Sequence, residues 1–246
     1  MLEIDDPNQI PLIRELIKKK GFLNLYYREM YKHYIECIKR SPSEGLLVEL
    51  GSGGGFSKDI IPEIITSEVF AANGIDKIAD ATRMPFSDLS IRTLFLLNVF
   101  HHIPDVALFF SEAIRCLVPG GRVLIIDPYP GFFSTPLLKW VHHEGFDPDA
   151  TEWKFASNGP LSSANNALAW IVFERDRKQF ETLFPQLRID FFNKHSPLRY
   201  WLSGGLKRWS VAPKSMFGLA SLVDQSLVRI SSRFGSFATI ELIKTT

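Results

Sequence analysis

Between Glu49 and Phe56 the chain reads Glu-Leu-Gly-Ser-Gly-Gly-Gly-Phe, directly after the apolar run that begins at Leu46. Glycines at the exit of a strand admit positive φ and let a ligand lie against bare backbone. A helix starting after such a turn would add unpaired N–H groups and a positive dipole end, suited to a carboxylate or phosphate. The expected ligand is nucleotide-like, held at the C-terminal edge of a parallel sheet. Spacing narrows the choice. The dinucleotide fingerprint G-x-G-x-x-G counted from Gly51 requires glycine where Phe56 stands, and the G-K-[ST] of a Walker loop is absent. What remains is E-x-G-x-G-x-G, formed by Glu49, Gly51, Gly53 and Gly55, with Ser52 between the first two glycines.

Two histidine pairs also carry chemical potential. His101 and His102 close the run Asn98-Val-Phe-His-His, and imidazole, titrating near neutral pH, is a candidate general base. The plain alternative is that one ring packs on the sheet while the other caps the next turn. His142-His143-Glu144, with Asp147 and Asp149 nearby, gathers metal-ligand residue types. Their spacing matches no standard zinc pattern, so no metal is expected.

The elements that must position these residues read as α/β. Residues 11–40 form two helices broken at Gly21, the second with a stripe of Leu23, Tyr27, Tyr31, Tyr34, Ile35 and Ile38 at helical spacing. Short apolar runs follow at 46–50, 64–67, 77–79, 93–98 and 122–126, and a helix is predicted over 105–116. Continuous apolar runs of this kind mark strands covered on both faces, hence a parallel sheet. After a long irregular stretch come a helix (173–184), a strand (187–194), a helical region (197–232) and a last strand (237–244).

Four of these features stand in the order of the class I S-adenosylmethionine-dependent methyltransferases, and the chain resembles the small-molecule group related to the ubiquinone/menaquinone-biosynthesis enzymes. Glu49-x-Gly51-x-Gly53-x-Gly55 is similar to that family's first motif, and Asp80-Ala81-x-x-Met84-Pro85-Phe86 to its D-A-x-x-L-P-F segment. Asn98 to His102 resembles the turn after strand 4, and Leu117-Val-Pro-Gly-Gly121 the turn into strand 5. The likeness is strong over about 46–127 and extends in outline over 173–246. It implies a doubly wound, mostly parallel seven-stranded sheet in a single domain. Within it, 1–45 would be a helical cap, 46–127 the cofactor-binding core, 128–172 a lid inserted after strand 5, and 173–246 the completion of the sheet.

The resemblance also implies roles. Gly51, Ser52, Gly53 and Gly55 would line the methionine part of S-adenosylmethionine, with Glu49 anchoring the loop or the amino group. Glu68 is expected to bind the ribose hydroxyls, with Asp76 as its rival. Asp80 would accept from the adenine amino group, Ala81 and Met84 would lie on the ring, and the backbone carbonyl of Asn98 would approach the methionine end. One departure from the family pattern is visible: only eleven residues separate Glu68 from Asp80, so the helix between strands 2 and 3 is missing or reduced to a turn.

The acceptor is expected to be a small apolar or lipid-linked molecule. The 128–172 stretch holds Tyr129, His142, His143 and Trp153 among ten aromatic or histidine side chains, and these four are the candidate substrate contacts; loops of this length are usually lids or disordered, and this composition argues against disorder. A non-catalytic, S-adenosylmethionine-binding regulatory partner is the alternative function.

Composition sets the outer limits. The 246 residues carry 28 Lys+Arg against 27 Asp+Glu, which excludes a generic polyanion binder, and no nucleic acid is expected. Within 194–233, however, seven Lys/Arg face the single Asp224, with Tyr200, Trp201, Trp209 and Phe217 between them. That segment is a solvated face, a surface for peripheral contact with an anionic membrane, or a place to capture a substrate with a phosphate-bearing tail. Two cysteines make no disulfide framework and point to a cytoplasmic protein. No apolar run reaches transmembrane length. The residues set no oligomeric state.

Overall fold

In the computed structural model, which describes residues 6–142, 144–156 and 163–245, the apolar runs pair side by side. β1 (Leu46–Leu50), β2 (Ile65–Glu68), β3 (Lys77–Ile78), β4 (Ile91–Leu97) and β5 (Leu117–Pro128) are parallel neighbours. β6 (Leu187–His195) and β7 (Phe237–Lys244) complete a seven-stranded sheet of order β3-β2-β1-β4-β5-β7-β6, with β7 antiparallel to both its neighbours. β5 starts earlier than its apolar core because Pro119-Gly120-Gly121 is absorbed as a register irregularity, with Gly120 at φ 75°.

The two faces are covered differently. On one, α3 (Val106–Cys116) begins at Asp105, whose carboxylate accepts from the Leu108 N–H at 3.1 Å and so caps the helix. Its buried Val106, Phe109, Phe110, Ala113 and Cys116 meet Phe173, Phe180 and Phe184. Those three come from a π-helical turn (Ile171–Arg175) after the short α5 (Leu168–Trp170), from α6 (Arg177–Leu183), and from the residue after it. On the other face lie α1 (Gln9–Lys19) and α2 (Gly21–Arg40). The tyrosine stripe of α2 is core: Tyr31 and Tyr34 are fully buried, and Tyr34 stacks on Phe95 of β4 at 4.3 Å.

The helix expected after the glycine loop does not form. Only a 3₁₀ turn, Ser57–Asp59, stands there. The local reason is that the groups able to start a helix are already engaged: the Phe56 N–H donates to the Tyr31 hydroxyl at 2.9 Å and the Ser57 hydroxyl to buried Glu49. Phe56, Ile61 and Ile64 instead pack directly against Ile17, Tyr31 and Tyr34, so α1 and α2 occupy the sheet face that helix would cover. The dipole of a helix at that position, and its anion-binding contribution, therefore fall away. The β2–β3 connection has no helix either. Asp76 clamps it by accepting from the Thr66 N–H (3.0 Å) and hydroxyl (2.9 Å).

The long stretch after β5 is not one lid. It contains α4 (Ser134–Trp140), while Trp153 is buried in the core with Phe146 and Phe155 against it. The C-terminal helical region resolves into α7 (Arg199–Ser203) and α8 (Phe217–Ile230). Cys37 and Cys116 are buried and unpaired. No helix among the described residues is long and apolar enough to cross a membrane.

Candidate functional site

A cavity of about 1340 Å³ opens at the C-terminal ends of β1, β2 and β4. Its floor is the glycine loop, where Gly51 and Gly53 hold φ of 61° and 48°. The loop is pinned from three sides. A Cβ on Gly51 would come within 2.6 Å of Val99, one on Gly54 within 2.3 Å of Ile13, and one on Gly55 within 2.7 Å of the Tyr31 hydroxyl. Arg14 of α1 donates through Nε to the Gly55 carbonyl at 3.0 Å. Below the loop, Glu49 accepts from the Tyr34 hydroxyl at 2.9 Å and from Ser57; burial pushes its carboxyl pKa up. The Ser52 hydroxyl donates to the Glu49 carbonyl and accepts from the Ser67 N–H, fastening β1 to β2.

Glu68 closes β2 at the cavity wall. One carboxylate oxygen accepts from the Gly53 N–H at 2.9 Å and the other from the Val69 N–H at 3.2 Å. Burial raises its pKa against these two hydrogen bonds. Asp76, its rival, is turned away into the Thr66 clamp and an ion pair with Lys58, and does not line the cavity. Asp80 and Ala81 border the opening; the Asp80 carboxylate accepts from the Thr82 N–H and hydroxyl, both at 2.7 Å. Met84 does not reach it. Its side chain is buried under the sheet, and its N–H donates to Glu112. Asn98 sits at φ 57°, a conformation that asparagine tolerates better than most residues, with its amide oxygen buried and without a hydrogen-bond partner.

Beyond Asn98 the wall is polar. His101 is buried, with Nδ1 3.0 Å from Asp127 and Nε2 3.3 Å from Glu144. His102 places Nδ1 3.1 Å from the Ser163 carbonyl and Nε2 3.8 Å from Glu144, and His142 Nε2 is 3.6 Å from the same carboxylate. Burial disfavours a charge on His101, but Asp127 and Glu144 outweigh it and hold the imidazole up at about 10. Burial, then cationic His101, pushes His102 down to about 4. The His101 and His102 rings, at a centroid distance of 4.2 Å, thus differ in charge.

Two of the four expected substrate contacts lie elsewhere. Tyr129 turns its hydroxyl to Glu174, and Trp153 donates from Nε1 to Asp176 at 2.9 Å. Both are drawn away because each indole or phenol, once buried, needs a polar partner, and the acids of the 171–176 turn supply it. His142 lines the cavity; His143 lies outside the described residues. The rest of the enclosure comes from α1 (Ile10, Ile13, Ile17), from Leu137, Leu138 and Val141, and from residues 204–209. Nothing in the spacing marked Ile13, Arg14 or Leu206 as site residues. Glu144 was visible only as part of a His-His-Glu run, and its meeting with His101 requires the folded chain.

Residues 48–125 match the family described as the methyltransferase domain. The ubiquinone/menaquinone biosynthesis C-methyltransferase UbiE of Desulfotalea psychrophila is 31% identical over 80 residues, covering 32% of this chain and 32% of that one. Phosphoethanolamine N-methyltransferase 1 of Arabidopsis thaliana is 25% identical over 153 residues, 54% of this chain and 31% of that one. The chain thus spans about a third of the length of these curated relatives. Among solved structures, geranyl diphosphate C-methyltransferase from Streptomyces coelicolor, in complex with Mg2+, geranyl diphosphate and S-adenosyl-L-homocysteine, superposes with a TM-score of 0.53. That match covers 99% of this chain and 87% of that one at 14% identity, a likeness of fold.

Proposed function

We propose, from the premise that residues 48–125 are a class I methyltransferase domain, that this chain transfers a methyl group from S-adenosylmethionine to a small apolar or lipid-linked acceptor. The observation that carries the reading is Glu68. Each of its oxygens accepts one backbone N–H, and a carboxylate has about four acceptor positions, so both oxygens retain capacity for a pair of ribose hydroxyls.

The cavity residues fit that cofactor. Gly51 and Gly53, at positive φ, leave room for its methionine part beside Ser52 and Gly55, and Asn98 offers a buried amide oxygen with no other partner. Glu49 holds the loop from beneath rather than the ligand. Asp80 would meet the adenine amino group and Ala81 the ring. When bound, the cofactor supplies a sulfonium-activated methyl group. The chain then has to align the acceptor, exclude water and receive a proton where the acceptor is neutral.

A site of about 1340 Å³ exceeds the roughly 300–1,000 Å³ of a single small-ligand pocket, which leaves space for an acceptor beside the cofactor. The remaining wall is apolar along Ile10, Ile13, Leu137 and Val141 and ends at His101, His102, His142 and Glu144. An acceptor with an apolar body and one polar head suits it. His101 and His102 are the residues proposed to touch that head, with neutral His102 taking its proton. The test is transfer from methyl-labelled S-adenosylmethionine to a panel of quinols and phenols, with water-soluble amines as comparison. Label confined to the amines would overturn the apolar acceptor.

We further infer peripheral contact with an anionic membrane. Trp209, Val211, Leu219, Leu222 and Ile230 are exposed, with exposed Lys207, Arg208, Lys214, Arg229 and Arg233 among them. Arg199 and Lys194 are not part of this surface, since Arg199 is buried against Asp224 and Lys194 pairs with Glu174. Residues 204–209 also wall the cavity, so an acceptor leaving the lipid would meet the site directly. Flotation with anionic but not neutral vesicles is the expected result; equal partition would remove the idea.

A further inference from the structure

His101, His102, His142 and Glu144 converge from two loops that lie about forty residues apart in sequence. The donor atoms of His101, His102 and Glu144 all lie within 4.8 Å of one another. We propose that this cluster binds one divalent transition-metal cation of the zinc type.

Three observations lead there. The first is ring orientation. A ligating histidine usually gives its other ring nitrogen to a carboxylate or backbone carbonyl, which fixes its tautomer and aim. His101 does this through Nδ1 to Asp127 at 3.0 Å, and His102 through Nδ1 to the Ser163 carbonyl at 3.1 Å. Both rings thereby direct Nε2 towards Glu144.

The second is separation. Zinc–nitrogen and zinc–oxygen bonds of about 2.0–2.2 Å in a tetrahedron put neighbouring donor atoms about 3.3–3.6 Å apart. The Nε2 atoms of His101, His142 and His102 stand 3.3, 3.6 and 3.8 Å from the Glu144 oxygens. Since the donor atoms of His101, His102 and Glu144 spread to 4.8 Å, a cation at the centre requires the side chains to draw in by up to about 1 Å.

The third is chemistry and access. Imidazole nitrogen with a single carboxylate suits zinc and its transition-metal neighbours and disfavours magnesium, which prefers oxygen ligands in an octahedron. Two carboxylates, Asp127 and Glu144, flank His101 in a buried setting, and a doubly charged cation would balance both. With His101, His102 and Glu144 as ligands, a tetrahedral cation would keep a fourth position, for His142 or for an acceptor head in the adjoining cavity. This deepens the reading of that wall as the acceptor's polar end. The metal site itself stands apart from it, because zinc binding and cofactor binding are measured separately.

The test uses tag-free, metal-stripped full chain titrated with Zn2+ alone by calorimetry, and with Co2+ alone by its visible d–d absorption. One equivalent of each is expected, with a tetrahedral cobalt spectrum and no Mg2+ uptake. Glu144→Gln, which is isosteric and removes the anionic ligand, should weaken Zn2+ at least tenfold. Asp127→Asn should weaken it about 10–100-fold, as loss of an outer partner does. No stoichiometric uptake by folded wild type overturns the proposal, and so does uptake unchanged in Glu144→Gln. These two samples decide even if a histidine variant fails to fold. Zinc uptake without binding of S-adenosylhomocysteine would keep this site and remove the methyltransferase reading instead.

Discussion

Replacing Glu68 by alanine separates the two candidate ribose acids. Glu68 has one acceptor position engaged on each oxygen, by Gly53 and Val69, and its carboxylate borders the cavity. Two charge-assisted hydrogen bonds to ribose hydroxyls are lost in the variant, at about 1.5–3 kcal/mol each. Taking the lower figure twice, affinity falls about 150-fold, since about 1.4 kcal/mol is a factor of ten. Thermal denaturation reads this directly. At S-adenosylhomocysteine a hundredfold above the wild-type Kd, the ligand stabilises by about 2.7 kcal/mol. At about 2–4 °C per kcal/mol for a domain of this size, wild type should gain about 5–11 °C and Glu68→Ala about 1 °C. Asp76→Asn should keep the full ligand-induced gain, because its carboxylate serves Thr66 and Lys58 and lies off the cavity. A full shift in Glu68→Ala, or a lost one in Asp76→Asn, would refute the assignment.

Other perturbations follow from the packing. Gly54→Ala forces a methyl into Ile13 and the Arg14 backbone. Helix α1 must retreat, so cofactor binding should weaken at least tenfold while amides of α1 lose hydrogen-exchange protection; unchanged protection would contradict the contact. Arg199→Ala strands buried Asp224, 2.7 Å from the guanidinium, and should cost about 3–5 kcal/mol by urea unfolding; a loss below about 1 kcal/mol would show that the pair does not hold α7 to α8. His195 is pushed well below the ordinary imidazole range by burial, with His33 and Arg199 adding to it. Below about pH 6.5 the unfolded chain takes a proton that the native imidazole refuses, so stability falls as pH drops through that value. Between pH 7.5 and 5.5 this one group should remove about 1.4 kcal/mol, and His195→Gln should lose that much less than wild type across the same range. Equal losses in the two proteins would contradict it.

The sheet was legible in the sequence because its central strands β1, β4 and β5 are largely buried and read as apolar runs, and β7 was predicted with the bounds observed. The place of the glycine loop was legible for a related reason: Gly51 and Gly53 hold positive φ after β1 and Glu68 ends β2, and all three line the cavity, positions that spacing records. What escaped reading was decided by partners distant in sequence. The helix after Phe56 is pre-empted by α2, whose Tyr31 lies 25 residues upstream. Tyr129 and Trp153 have the composition of a lid, yet their rings are buried and Glu174 and Asp176 satisfy their polar atoms at the edge of the core. Met84 keeps its place in the D-A-x-x-M-P-F segment, but its side chain is buried in the core and its N–H is held by Glu112 of α3. The enclosure by α1 and by residues 204–209 carries no local signal, since an apolar residue facing a cavity and one facing a core have the same helical period.

On the proposed function, the glycine-loop cavity holds S-adenosylmethionine. Isothermal calorimetry of the wild-type chain with S-adenosylmethionine and S-adenosylhomocysteine tests it most directly, with NADH as the comparison. One site with micromolar affinity, roughly −8 kcal/mol, is expected for both sulfur ligands and none for NADH. No heat from either ligand with folded protein, or binding of NADH alone, would contradict it.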